Sequence, residues 1–258
     1  MSHKRKLSQS IIILPVLIML SACAGSSEFA DQEENAARKS AEVNTALGRE
    51  YMGRGQYEVA LEKLKKAIRT DSKYAPAHTV LAVLYEQLGE MQLAGRHYRR
   101  AVDIAPQNGD TNNNYGVFLC KSGDFGNAQN YFLKAVEDPF YRTPAAALAN
   151  AGACELEAGN VDTAEKFLRQ SLEYDAKFSD ALLTMASVNY HKGNNLGARA
   201  FLQRYEGAGP DTAESLELGV LIENRMNNSQ VAQSYSNRLL TNFPDSKQAK
   251  RQREALRK

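Results

Sequence analysis

The sequence predicts an all-α fold, a solenoid of stacked helix-turn-helix repeats. Three observations carry that expectation. Gly55, Gly89 and Gly123 are spaced 34 residues apart, and Gly159 and Gly193 resume the same spacing after a two-residue slip at 138–143. Five residues after each glycine stands alanine (Ala60, Ala94, Ala128, Ala164, Ala198), and four further on a large apolar residue (Leu64, Tyr98, Phe132, Leu168, Leu202). No run of alternating β-branched residues marks a strand. A fixed period of this length means a supersecondary unit that cannot bury its apolar face alone and must stack on its neighbours.

The chain opens on a different logic. His3-Lys4-Arg5-Lys6 is basic, Ile11–Leu20 is apolar, and Pro15 interrupts the run. Ten apolar residues are too few for a spanning helix, which needs about 20. A positive start, a short apolar stretch and small residues after it make a secretory signal peptide over residues 1–22. Leu20-Ser21-Ala22-Cys23 also resembles the lipoprotein box of bacteria. That resemblance implies cleavage before Cys23 and acylation of its thiol and amino group. Ala24 rather than Asp follows it, which by the habit of such lipoproteins implies the outer membrane, periplasmic face. Stable anchoring takes more than one acyl chain, a requirement a triacylated cysteine meets. Residues 23–40, with "SSEFADQEENAA" from Ser26 to Ala37, read as the lipidated N-terminus and a flexible tether.

Repeats are expected at 41–74, 75–108, 109–144, 145–178, 179–211 and 212–245. Small residues at Gly48, Ala82, Gly116, Gly152 and Ala186 recur beside the periodic alanines, so paired helices approach closely and the large side chains fill the space beside them. Glycine at each turn supplies the left-handed conformation that ends a helix. Pro106 and Pro244 fall where repeats end. In the sixth repeat Met226 stands at the turn where glycine is expected, while Leu218, Gly219 and Ala232 keep the phase. Residues 246–258, rich in Lys and Arg, form a last capping helix. The pattern resembles the tetratricopeptide repeat, although the first Trp of its consensus is replaced by Asn44, His78, Asn112, Leu148 and Leu182.

Charge and motifs narrow the function. The chain carries 32 Lys and Arg against 30 Asp and Glu. Cleavage after Ala22 removes three cations and no acid, so the mature chain has a net charge of −1. A concentrated basic surface of the kind that binds nucleic acid is missing. The C-terminal "KQAKRQREALRK" is the one basic cluster, and it reads as the solvated face of the last helix. The four histidines, His3, His78, His97 and His191, have no metal-ligand spacing, and no phosphate loop follows a strand. No enzyme, metal, cofactor or small-molecule substrate is expected, and no stretch outside the repeats is long enough for a catalytic domain. Cys120 and Cys154 occupy near-equivalent positions in the first helices of repeats three and four. In an oxidising compartment they form a disulfide staple, or they remain two buried thiols acting as small hydrophobes.

Binding is then the remaining role. The first helices of the repeats line a concave wall, on which Thr45, Arg49, Met52, Val83, Asn113 and Val117 are the candidate partner contacts. Arg49 is the one clear cation of the first three repeats, so this wall is not the basic clamp that grips a C-terminal carboxylate. Asn112 reads as helix-start chemistry beside Gly109-Asp110. Asn113 reads either that way or as a groove group able to pair with a partner's backbone.

The combination of lipobox, tether and six repeats is similar to the PilF/PilW family of type IV pilus biogenesis and stability lipoproteins, the pilotins. Asn112–Asn160 carries the specific likeness: "NNNYGVFLC", the widened third repeat ending in "YRTPA", and "NAGACELEAGN" with the second cysteine. The resemblance implies a non-catalytic outer-membrane lipoprotein. Its partners would be the membrane, through the N-terminal lipid, and the secretin subunit, whose localisation and multimerisation it promotes. The alternative is a general repeat scaffold of the cell envelope, serving outer-membrane-protein assembly or peptidoglycan hydrolases.

Overall fold

The computed structural model describes residues 22–257, with side chains from Asp31. Six helix pairs are followed by a single last helix: α1 (Ala22–Gly53) and α2 (Tyr57–Thr70), α3 (Ala75–Gln87) and α4 (Met91–Ile104), α5 (Gly109–Lys121) and α6 (Phe125–Glu137), α7 (Pro144–Glu157) and α8 (Val161–Tyr174), α9 (Ser179–His191) and α10 (Asn195–Glu206), α11 (Ala213–Arg225) and α12 (Ser229–Asn242), then α13 (Lys247–Ala255). The fold is an all-α solenoid of six helix-turn-helix units with a C-terminal helix. It divides into two compact units, one ending at Val80 within α3 and one beginning at Leu81.

The signal-peptide segment before Ala22 lies outside the described residues. The stretch expected as an irregular tether is instead the first half of α1, which runs unbroken for 32 residues. The physical reason is composition. Between Gly25 and Gly48 there is neither Gly nor Pro, and Ala, Glu, Gln, Arg and Lys dominate, the residues that lose least on entering a helix.

In the first unit, α1 and α2 pack through small residues. Ala41 and Ala67 are fully buried and meet Ala77 at the start of α3, with Ile68 and Tyr74 against them. Gly48 leaves room for Leu64: a Cβ there would stand 2.6 Å from Leu64 Cγ. Arg38 pairs with Asp71 (2.6 Å) and lies over the Tyr74 ring, tying the end of α2 back to α1.

The second unit repeats the same device. Gly116 faces the Phe132 ring and Gly152 faces Leu168, each sixteen residues on and each too close for a methyl group without displacement. The periodic alanines Ala94, Ala128, Ala164 and Ala198 are fully buried, as are Leu168 and, within 2 %, Tyr98, Phe132 and Leu202. Between α6 and α7 the two extra residues are pinned back onto α5. The Asp138 carboxylate accepts from Gly109 N (2.8 Å) and from Phe140 N (2.9 Å), and the Tyr141 ring covers Gly109 so closely that only glycine fits.

Five turns use glycine at positive φ, Gly55, Gly89, Gly123, Gly159 and Gly193, between +71° and +84°. The sixth corrects the sequence reading. Asn227, not Met226, takes the left-handed conformation (φ +59°), preserving the 34-residue step from Gly193. Asn is the non-glycine residue that tolerates this region best. In the same repeat Gly219 faces Tyr235, and the usual large position is held by the buried Ser236. Helix α13 starts on a Ser246 cap that accepts from Ala249 N, and packs on α11 and α12.

Candidate functional site: the walls of the first helices

Thr45, Arg49 and Met52 lie on one side of α1, in the first unit, at the four- and seven-residue steps that bring helix positions into line. They are not equally available. Arg49 is exposed and Met52 half-buried, but Thr45 is 3 % exposed and its hydroxyl donates to Ala41 O (2.7 Å). Its expected place on an open wall is therefore corrected: the hydroxyl is used up by its own helix, as Ser and Thr side chains do when they bond four residues back.

In the second unit Val83 on α3 and Asn113 and Val117 on α5 are half-buried, with apolar or amide surface left open. Three elements hold this wall. Glu86 on α3 accepts from the Tyr98 hydroxyl on α4 and from Lys121 Nζ on α5 (3.1 Å). Burial first, and then the bond to the Glu86 carboxylate, push the Tyr98 hydroxyl well above the ordinary tyrosine range, so it stays a donor. Asn112 is 1 % exposed, and its amide closes the loop below by donating to Pro106 O and Asn108 O (both 2.9 Å). Asn113 behaves differently. Its Oδ1 accepts from Asn150 Nδ2 on α7 (3.0 Å), so two amides stand side by side on successive first helices. Cys120 on α5 and Cys154 on α7 have sulfurs at bonding distance, with Cα atoms 5.8 Å apart.

This arrangement holds surfaces rather than reactive groups. Among the described residues no group of three or more His, Cys, Asp and Glu is placed to hold a metal ion, and no helix is long and apolar enough to cross a membrane. The polar groups that recur on the wall are amides and carboxylates bonded to helix neighbours, which suits them to recognise another polypeptide.

Comparison with known proteins fixes the kinship. Tetratricopeptide-repeat profiles match residues 45–109 and 119–177, and a second such profile matches 155–218. The crystal structure of PilW, a widely conserved type IV pilus biogenesis factor, superposes with a TM-score of 0.74 at 32 % identity, over 81 % of this chain and 96 % of PilW. The chain belongs to the PilF/PilW family. PilF of Pseudomonas aeruginosa, a type IV pilus assembly protein, is 27 % identical over 92 % of this chain and 95 % of its own. Its solved structure gives a TM-score of 0.73. An uncharacterized protein of Haemophilus influenzae is 32 % identical over 65 % of this chain and 90 % of its own.

Sequence reasoning followed the wall only as far as α7. Stepping on by the repeat period from Val117 reaches Ala153, Ser187 and Leu221, and from Asn113 it reaches Ala149, Leu183 and Glu217. Apart from Ala149, these residues line an open cavity in the later repeats of this PilF/PilW-family chain. The period itself was the signal that would have found them.

Proposed function

We propose that this chain is a lipid-anchored, outer-membrane scaffold that binds the secretin subunit of a type IV pilus machine and promotes its localisation and multimerisation. Kinship with PilW along nearly the whole of that protein is the observation that carries the reading. Cys23 receives the lipid and sets the address. The first-helix walls, with Arg49, Met52, Val83, Asn113 and Val117, grip a segment of the secretin. A Cys120–Cys154 bridge staples the third and fourth repeats so that the wall keeps its shape under load. In the first unit the exposed Arg49 and half-buried Met52, and in the second the half-buried Val83 and Val117 with the Asn113 amide, each offer an extended segment apolar contact and hydrogen-bonding groups.

The test separates anchor from grip. In cells, Cys23→Ala is expected to leave secretin monomers unassembled or in the wrong membrane, read by membrane separation and blotting of secretin multimers. Normal outer-membrane rings in that variant remove the anchor from the mechanism. A photo-crosslinker at Met52 or Val83 is expected to trap the secretin; trapping of barrel-assembly subunits or hydrolases instead would replace this partner.

A further inference from the structure

The later repeats carry a recess of about 570 Å³ between α7, α9 and α11, all within the second unit. Its floor is apolar: Leu156, Leu183, Tyr190, Leu218 and Leu221. Leu221 is 42 % exposed, so this part of the floor is open to solvent. The floor is held in place. The Arg225 guanidinium lies 3.6 Å from the Tyr190 ring centroid and donates to Tyr190 O (2.8 Å), fixing the aromatic ring against one end.

The charged lining residues are carboxylates, with Arg225 and Arg251 packed beside them on Tyr190 and Glu217. Glu157, Glu214 and Glu217 stand around the opening. Glu217 is satisfied by a two-bond pair with Arg251 of α13 (2.8 and 2.6 Å). Glu214 accepts only from the neutral Gln248 (2.8 Å), and neither it nor Glu157 has an ion pair among the described residues. Two neutral polar groups of the rim are used within α9: Thr184 Oγ1 donates to Asp180 O (2.8 Å) and His191 Nδ1 to Ser187 O (2.8 Å). What remains open to a visitor is mainly apolar surface flanked by the carboxylates of Glu157 and Glu214, neither of them in an ion pair among the described residues, with Arg251 acting on Glu214 only through space.

We propose that this recess is a binding site for a segment of another protein that presents a large apolar side chain flanked by arginine or lysine. The apolar anchor covers Leu221 and fills the floor, and the cations complete Glu157 and Glu214 as Arg251 already completes Glu217. Charge complementarity selects this occupant over an acidic segment or an anionic membrane surface, both of which the rim repels. The site uses residues other than the five assigned to secretin contact, and it does not depend on the secretin being the occupant.

The test uses the purified chain and a set of 15-residue peptides varied in two features, Leu or Ser at the anchor and Arg, Gln or Glu at the flanks. The Leu–Arg peptides are expected to bind, with Leu–Glu and Ser–Arg peptides at least about tenfold weaker. Glu157→Gln with Glu214→Gln, and separately Leu221→Ser, are expected to weaken the Leu–Arg peptide by a similar factor while the melting temperature holds, since Glu157, Glu214 and Leu221 are all exposed. No binding by Leu–Arg peptides, equal binding by Leu–Glu peptides, or unchanged binding to the variants overturns the proposal. So does a concentration-dependent dimer that Leu221→Ser breaks, because the recess would then be covered by a second copy. Loss of secretin assembly in Cys23→Ala, with peptide binding intact, leaves this site standing on its own.

Discussion

Gly116 offers the sharpest test of how the repeats are packed. An added Cβ would lie 2.8 Å from Phe132 Cε1 and 2.9 Å from Cδ1. Carbon atoms prefer about 3.5–4.0 Å, so the ring or the helix must retreat by more than half an ångström. Phe132 is 1 % exposed and its ring is rigid, which leaves no flexible end to swing aside. Overpacking of this kind costs about 1–3 kcal/mol. Against it stands the gain of about 1 kcal/mol for replacing Gly by Ala inside a helix. Gly116→Ala should therefore be neutral to destabilising by about 2 kcal/mol, although propensity alone favours it. The same change in a Phe132→Ala background should be more favourable by about 1–3 kcal/mol, because no side chain beyond Cβ is left to obstruct the added methyl. Denaturant unfolding of the four proteins measures both numbers. Ala82 and Ala186 hold the equivalent place opposite Tyr98 and Leu202, so a methyl is accommodated where the local spacing was built for it. A full gain of about 1 kcal/mol from Gly116→Ala alone, or additivity of the two changes, would refute close approach as the reason for this glycine.

If Cys120 and Cys154 are bridged, alkylation of the unreduced protein should find no free thiol at either position. Reduction, or Cys120→Ser with Cys154→Ser, should then cost about 4 kcal/mol by the loop-closure estimate for a separation of 34 residues, read as a shift of the denaturant midpoint. At the α8–α9 junction, Lys192 bonds both Asp162 and Glu165, and Arg169 adds a second cation to Glu165. Lys192, then Arg169, hold the Glu165 carboxyl below its ordinary 4.5. A carboxyl depressed in the folded state stabilises above its unfolded value and loses that contribution as pH falls. Stability should thus decline on acidification below about pH 4.5, and Lys192→Met should show a smaller acid-linked fall; equal falls would exclude this junction.

The fold was legible because its physics is periodic. One turn glycine, one alanine and one bulky residue recur through five helix pairs at a 34-residue step broken once by two residues, and the structure gives each of those glycines positive φ and buries the alanines and bulky residues. The failures were local. A fifth repeat of 33 residues puts Met226 at the sixth turn, whereas the structure keeps the full step and lets Asn227 take positive φ. Residues 26–37 look like a linker by polarity, but polarity and helix propensity are different quantities, and α1 follows propensity. The wall was less legible still. Thr45 faces the correct side of its helix yet spends its hydroxyl on Ala41, a choice set by rotamer and not by spacing.

The positions that build this stack and the positions that can meet a partner are largely separate sets on the same helices. Gly116, Gly152 and their large partners are buried between paired helices, so substitution there changes stability first. Val83, Asn113, Val117 and Leu221 keep surface open on the first helices, whereas Leu183 both lines the recess and packs against the core of the later repeats. A repeat scaffold can therefore change what it binds, repeat by repeat, without refolding. In the second unit the change is visible along one chain: amides Asn113 and Asn150 on the wall of α5 and α7 give way to leucines and carboxylates on α9 and α11. Two chemically different walls on one unit imply two separable contacts. Variants at Val83 and Val117 should then alter assembly without changing binding of Leu–Arg peptides, and variants at Leu221 should do the reverse.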